Sequence, residues 1–164
     1  MNDLRVGLGV DAHAFDPDTK LVLAGIFFPD EPGLAGHSDG DVLAHALTDA
    51  LLGAAGLSDI GSFFPSSDSK WKDADSIDLL IQAFEVVKKS GFELVNADCV
   101  LIGQRPQIVT YQDSMRARLA GALGVDSSRI TVRATTTDRL GFTGREEGLA
   151  AQAIALLEKN HGPT

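Results

Sequence analysis

Residues 42–54 constrain this chain more than any other stretch. Leu43, Ala46, Leu47, Ala50, Leu51 and Ala54 recur at helical spacing. Asp41, His45 and Asp49 recur at i, i+4 and i+8 and are read as sharing the opposite face. An amphipathic helix of this kind needs a surface to bury its stripe against, and the flanking segments offer strands. Residues 4–10 (LRVGLGV) read as a strand interrupted by two glycines, and residues 21–28 (LVLAGIFF) as a second, joined by the polar turn Asp16-Pro17-Asp18-Thr19. Ser38 and Asp41 have capping-box spacing at the helix start.

Further along, residues 56–75 are rich in Gly, Pro, Ser and Asp and are expected to form a mobile loop or lid. Residues 76–89 form a second amphipathic pattern with Ile77, Leu80, Ile81, Phe84 and Val87 inward. Lys88 and Lys89 suit its C-terminal dipole, and Gly91 its cap. A strand over 94–102, a helix over 113–123 closed by Gly124, a strand over 130–134, a last helix over 149–159 and a frayed tail at 161–164 complete the reading. The order β-β-α-α-β-α-β-α, with no internal repeat or linker, predicts a single domain over 1–164 with one sheet covered by helices, α/β or α+β.

Composition narrows the chemistry. Of 164 residues, 14 are Lys or Arg and 23 are Asp or Glu, a net charge of −9. That balance argues against nucleic acid and anionic membranes as partners, but not against a small phosphorylated ligand. Cys99 is the one cysteine, so neither an intramolecular disulfide nor a thiolate-cluster zinc site can form within one chain. Any metal site must use His and carboxylates, and three of the four histidines, His13, His37 and His45, lie in the first 45 residues. The N-terminus lacks a signal-peptide pattern, and no apolar run approaches the roughly 20 residues of a membrane span. A cytoplasmic protein is expected.

Four constellations carry possible chemistry. Asp11 and His13 stand at i and i+2 of a strand, so their side chains converge on one side. His45, on the polar helix face, would complete a His₂-carboxylate set with an open position, the pattern of a catalytic zinc. The plainer alternative is that Asp11 accepts a backbone hydrogen bond and His13 is an ordinary surface residue. His37-Ser38-Asp39-Gly40-Asp41 is either an anion site at a helix N-terminus or a plain cap. Thr135, Thr136, Thr137 and Asp138, followed by Phe142 and Arg145, present hydroxyls, a carboxylate for a hard cation and a guanidinium for phosphate. The alternative is a Thr-rich edge strand with a Gly turn. The spacing is not that of a Walker loop. Asp59 can bind substrate hydroxyls or simply close an Asx-turn.

Taken together, GLGVDAHAF (7–15), GHSDGDVLAHALTDALLGAAGLSDIGSFFP (36–65) and ATTTDRLGFTGREEGLA (134–150) resemble the 2-C-methyl-D-erythritol 2,4-cyclodiphosphate synthase family, in family order and spacing and over essentially the whole chain. The resemblance implies an α+β domain with a mixed sheet, assembled as a homotrimer with active sites between subunits. It implies a phosphorus–oxygen lyase of isoprenoid precursor biosynthesis that folds a cytidine diphosphate substrate on itself and releases CMP. It implies Zn²⁺ on Asp11, His13 and His45, and Mg²⁺ or Mn²⁺ at the substrate diphosphate near Asp138, where Glu is more familiar and Asp has a shorter reach. His37 and Thr136 match transition-state stabilisers. Ser38, Asp59, Gly61, Thr135, Thr137, Phe142 and Arg145 match substrate contacts. Gly103, Pro106, Gln107 and Ile108 match the loop that frames cytidine, with Gln107 standing where many relatives have Lys. A phosphohydrolase on the same Asp-His-His set would instead give linear products, and a binding module would give no turnover.

Overall fold

A computed structural model describes residues 3–160. Among these, five strands form one mixed sheet in the order β2-β1-β5-β3-β4. The strands are β1 (Leu4–Leu23), β2 (Ile26–Leu34), β3 (Phe92–Ile102), β4 (Ile130–Thr135) and β5 (Gly148–Lys159). The helices are α1 (Val42–Ala54), α2 (Ile60–Phe63), α3 (Ser76–Lys89), α4 (Gln112–Leu123) and α5 (Gly141–Gly144). Only β3 and β4 run parallel, and the architecture is a single α+β domain. No described helix is long and apolar enough to cross a membrane.

The largest departure from expectation is β5, predicted as a helix over 149–159. Leu149, Ala151, Ala153, Ala155 and Leu157 are buried while Gln152 and Ile154 are exposed, the period-two pattern of a strand. Ala, Leu, Glu and Lys favour helix in isolation, but β5 lies between β1 and β3 and pairs with both along its length. Tertiary pairing overrides local propensity here.

The small residues in this part of the sheet have a clear use. Gly7 and Gly9 of β1 lie directly under α1, and a Cβ at either would run into the backbone of Ala50 or Ala46. These glycines do not break the strand; they let the helix sit close upon it. The α1 stripe is accordingly buried, with Leu43, Leu47 and Leu51 fully shielded. The opposite face of the sheet is left open: Val6, Leu8, Val10 and Ile154 are 70, 61, 54 and 51% exposed.

The first hairpin also turns elsewhere than expected. β1 runs through Asp16–Thr19 as a bulge, its extra residues tied by Asp18 N–H to Asp16 (3.0 Å) and by the Thr19 hydroxyl to the Asp16 carbonyl (3.1 Å). The chain reverses at Ala24 and Gly25, with φ of 51° and 72°. Asp41 holds this turn from across the fold, accepting from Ala24 N–H (2.8 Å) and Gly25 N–H (2.7 Å) and capping α1 through Ala44 N–H (3.0 Å). Asp41 is therefore a fully buried cap, not a member of a solvent face with His45 and Asp49, and the expected Ser38–Asp41 box is replaced by this arrangement. Burial and the neighbouring Asp39 push its carboxyl up to about 6, against the pull of the three amides.

The second helix spans the residues expected of it, except that Ile81 faces outward and Leu79 takes an inward place. Residues 56–75 contain α2 and a 3₁₀ turn at Ser69–Trp71, capped by Asp59 and Asp68. The expected tail at 161–164 lies outside the described residues.

Candidate metal centre and ligand clefts

β1 presents Asp11 and His13 on the side where α1 lies, and the second turn of α1 brings His45 to them. His13 Nε2 is 2.8 Å and His45 Nδ1 3.0 Å from the same oxygen, Asp11 Oδ2. One donor atom from each residue lies within 4.8 Å of the other two. A tetrahedral zinc with bonds of about 2.0–2.1 Å spaces its ligands about 3.3 Å apart, so small adjustments would let this set close on a cation. The donor types also suit zinc, and the three side chains are only 13–24% exposed.

The electrostatics favour positive charge at this point. Burial raises the Asp11 carboxyl, but hydrogen bonds from His13 and His45 more than reverse this and bring it down to about 2. Burial lowers His45, and the hydrogen bond and charge of Asp11, aided by Asp41 and Asp39, outweigh that and raise it. An anionic oxygen that favours a proton on His45 will likewise draw a divalent cation, which displaces it.

A cleft of about 150 Å³ opens beside the centre, lined by His13, His37, Ser38, His45, Gly61, Phe64 and Trp71 among others. Residues 64–74 form its wall: Phe64 and Trp71 pack edge-on at 4.8 Å, His37 Nε2 lies 3.4 Å from the Asp68 carbonyl, and Asp73 N–H donates to the His37 carbonyl at 2.9 Å. Asp59 lies outside this lining. It caps α2 through Ser62 N–H and Oγ (both 2.9 Å), which lower its carboxyl, and borders an adjoining cleft with Val10 and Asp49.

The threonine loop lies elsewhere. At the end of the parallel β3–β4 pair, Gly103, Pro106, Gln107, Ile108, Thr135 and Thr136 line a second cleft of about 200 Å³. Gly103 N–H donates to the Thr135 carbonyl at 3.0 Å, joining the two loops. Thr137 is turned inward, bonded to the Leu140 carbonyl (2.7 Å) and Thr143 Oγ1 (2.9 Å). Asp138 is exposed, with φ of 51° and Thr136 Oγ1 at 3.5 Å. Phe142 is 43% exposed, and Arg145 pairs with Glu147 at 3.2 Å. The two clefts share no lining residue. Within one chain the expected site residues thus fall mainly into two groups rather than one, with Asp59 at the adjoining cleft.

Several contributing residues carry no sequence signal. Ser76 Oγ stands 2.7 Å from His45 Nε2, beside Ser38 Oγ at 3.0 Å. Trp71, Ile60, Ser66 and Leu79 also line the metal-side cleft. Ser76 is 31 residues from His45, a separation with no helical or strand period to reveal it.

Comparison with known proteins agrees with the fold. The YgbB family model matches residues 4–158. A 2-C-methyl-D-erythritol 2,4-cyclodiphosphate synthase of Rubrobacter xylanophilus is 59% identical over 165 residues, covering 99% of both chains. The bifunctional IspDF of Campylobacter jejuni superposes with a TM-score of 0.93 at 45% identity, over 97% of this chain; the chain spans 43% of that larger protein. The Plasmodium falciparum IspF in complex with CDP superposes with a TM-score of 0.84 at 29% identity, over 98% of this chain and 99% of that one. With a family model matching nearly all of the described residues and relatives more than half identical over nearly the whole chain, the chain belongs to the YgbB family, that of the 2-C-methyl-D-erythritol 2,4-cyclodiphosphate synthases.

Proposed function

We propose that the chain converts 4-diphosphocytidyl-2-C-methyl-D-erythritol 2-phosphate to 2-C-methyl-D-erythritol 2,4-cyclodiphosphate and CMP, in the cytoplasm, as a step of isoprenoid precursor biosynthesis. The observation that carries the reading is the convergence of Asp11, His13 and His45 on one point beside a cleft, in a chain of this family. In the reaction a 2-phosphate oxygen attacks the β-phosphorus, the bond from that phosphorus to the α-phosphate oxygen breaks, and CMP leaves with the electron pair. The attacking group is already an oxyanion, so no side chain has to act as nucleophile or strong base.

Asp11, His13 and His45 would hold Zn²⁺. Asp138, whose carboxylate is exposed beside Thr136, would hold Mg²⁺ or Mn²⁺ together with substrate oxygens. Bound there, the ions supply Lewis-acid polarisation of the β-phosphate and neutralise charge across the diphosphate. His37 and Thr136 would donate hydrogen bonds to charge that develops as the phosphoryl group moves. Gly103, Pro106, Gln107 and Ile108 would frame the cytidine, with Thr135 beside it. Ser38, Asp59 and Gly61 would hold the methylerythritol end. Thr137, already bonded within its loop, would fix the loop's shape and offer its backbone, and Phe142 would wall the pocket. Arg145 would reach phosphate by exchanging its contact with Glu147. The wall formed by Phe64 and Trp71 would exclude water that could hydrolyse the diphosphate.

The reading includes a homotrimer whose active sites form between neighbours. Two features support it. The metal cleft and the nucleotide cleft are separate within one chain, yet the reaction needs both on one substrate. The open sheet face bearing Val6, Leu8, Val10 and Ile154 is apolar enough to require a cover, and a second and third copy would supply it.

Phosphorus NMR on the protein with the diphosphocytidyl substrate, Zn²⁺ and Mg²⁺ tests the reading. Appearance of the cyclic diphosphate with one CMP per turnover is expected. Linear products containing solvent oxygen would replace the synthase with a hydrolase.

A further inference from the structure

The environment of His45 is asymmetric. Nδ1 faces Asp11 Oδ2, so it is the nitrogen that can meet a cation held by Asp11 and His13. Nε2 faces Ser76 Oγ at 2.7 Å and Ser38 Oγ at 3.0 Å. A ring nitrogen can give its lone pair to a metal only if the proton resides on the other nitrogen. The direction of the bond at Nε2 is therefore decisive, and the other partners of Ser76 argue for it.

Ser76 is fully buried at the first position of α3. Its hydroxyl bonds to Asp39 Oδ1, and its backbone N–H donates to Asp39 Oδ2 at 2.9 Å. Asp39 also accepts from Asp41 N–H at 3.0 Å. A carboxylate engaged by three donors acts only as an acceptor, so the Ser76 hydroxyl proton is directed to Asp39. The Ser76 oxygen then turns its lone pairs to His45 and accepts from Nε2–H. Ser38 differs, because it lines the cleft and its hydroxyl can turn to a ligand.

We infer that Ser76, oriented by Asp39, is a positioning residue that holds the His45 proton on Nε2 and leaves Nδ1 free for the metal. The inference rests on the reading of Asp11, His13 and His45 as a metal centre. The chain of bonds Asp39–Ser76–His45 also ties the start of α3 to the loop before α1, so one hydrogen-bond path sets both the ring's tautomer and its angle.

Zinc affinity of the full chain, measured by competition with a chromophoric chelator, tests the inference. Ser76→Ala should weaken zinc binding by about 10–100-fold, the usual cost of losing such a partner, with the far-ultraviolet spectrum unchanged. Asp39→Asn should weaken it in the same direction. In the zinc-loaded wild-type protein, ¹⁵N-histidine NMR should show a slowly exchanging proton on His45 Nε2. This wild-type measurement decides the matter even if both variants fail to fold. A folded Ser76→Ala protein with wild-type zinc affinity, or a His45 Nε2 proton that exchanges freely in the wild type, overturns the relay. A wild-type protein that takes up no zinc overturns the metal-centre reading itself, and the relay with it.

Discussion

The two halves of the proposed active site are built differently. The metal half is set in the core: His45 stands on the most deeply buried helix, its ring engaged on both nitrogens, and Asp41 one turn earlier fastens that helix to the first hairpin. The threonine half is a surface loop: Asp138 and Arg139 have positive φ, Leu140 is 73% exposed, and Arg145 is paired with exposed Glu147. A cation site gains from rigid, preformed geometry, whereas on the proposed reading the loop would grip a diphosphate across a subunit boundary and take its final form with the ligand. The difference teaches that folding alone completes the geometry of one half, whereas the other is left exposed and, on the proposed reading, would be completed by assembly and binding.

The largest expected effect attacks the rigid half. His45→Ala should lower the rate of CMP release by about 10³-fold or more, the several kcal/mol that a Lewis acid contributes, and should remove stoichiometric zinc measured by metal analysis. A variant that kept its zinc would break the comparison at its stronger member. The second effect attacks the exposed half. Thr136→Val preserves shape but removes a donor, and should cost about 10²-fold in kcat while leaving zinc content at the wild-type level. Loss of zinc in this variant would mean that the two halves are not separate within the chain.

A smaller effect sharpens the account of the rigid half. The fold raises Asp41 from the ordinary carboxylate range to about 6. A carboxyl raised on folding adds stability below its unfolded value and loses it as pH rises through its folded value. Between about pH 4 and 6 the wild type should therefore lose stability relative to Asp41→Asn, on the order of 1–3 kcal/mol, seen as a narrowing or reversal of the difference in thermal midpoints. A difference independent of pH would show that the three amides hold the carboxylate as well as water does.

The metal half was also the more legible in sequence. Asp11 and His13 follow strand periodicity, and the stripe from Leu43 to Ala54 fixes the helix that carries His45. Contacts that hold these residues in place were not legible, because Asp41 reaches Ala24 and Ser76 reaches His45 over separations that no local period marks. In α1 and β5 the same residue types, Leu and Ala, lead to opposite structures. The helix of α1 agrees with local propensity; β5 is a strand because β1 and β3 pair with it on both sides. A type II or Asn-Gly turn would have marked the first hairpin, but Ala24-Gly25 is held by a distant carboxylate instead, and the polar Asp16–Thr19 segment drew the expectation to the wrong place.

The central claim is that metal centre and threonine loop act together only across a boundary between chains. Mixing His45→Ala protein with Thr136→Val protein under conditions that exchange subunits tests it directly. Each variant alone is nearly inactive, but a mixed assembly contains boundaries where an intact metal centre from one chain faces an intact loop from its neighbour. With equal, random mixing in a head-to-tail ring, about a quarter of the boundaries are of this kind, so activity should recover to about a quarter of the wild-type rate. Activity that stays at the average of the two variants, with exchange verified by mass spectrometry, would place the whole site within one chain and contradict the account.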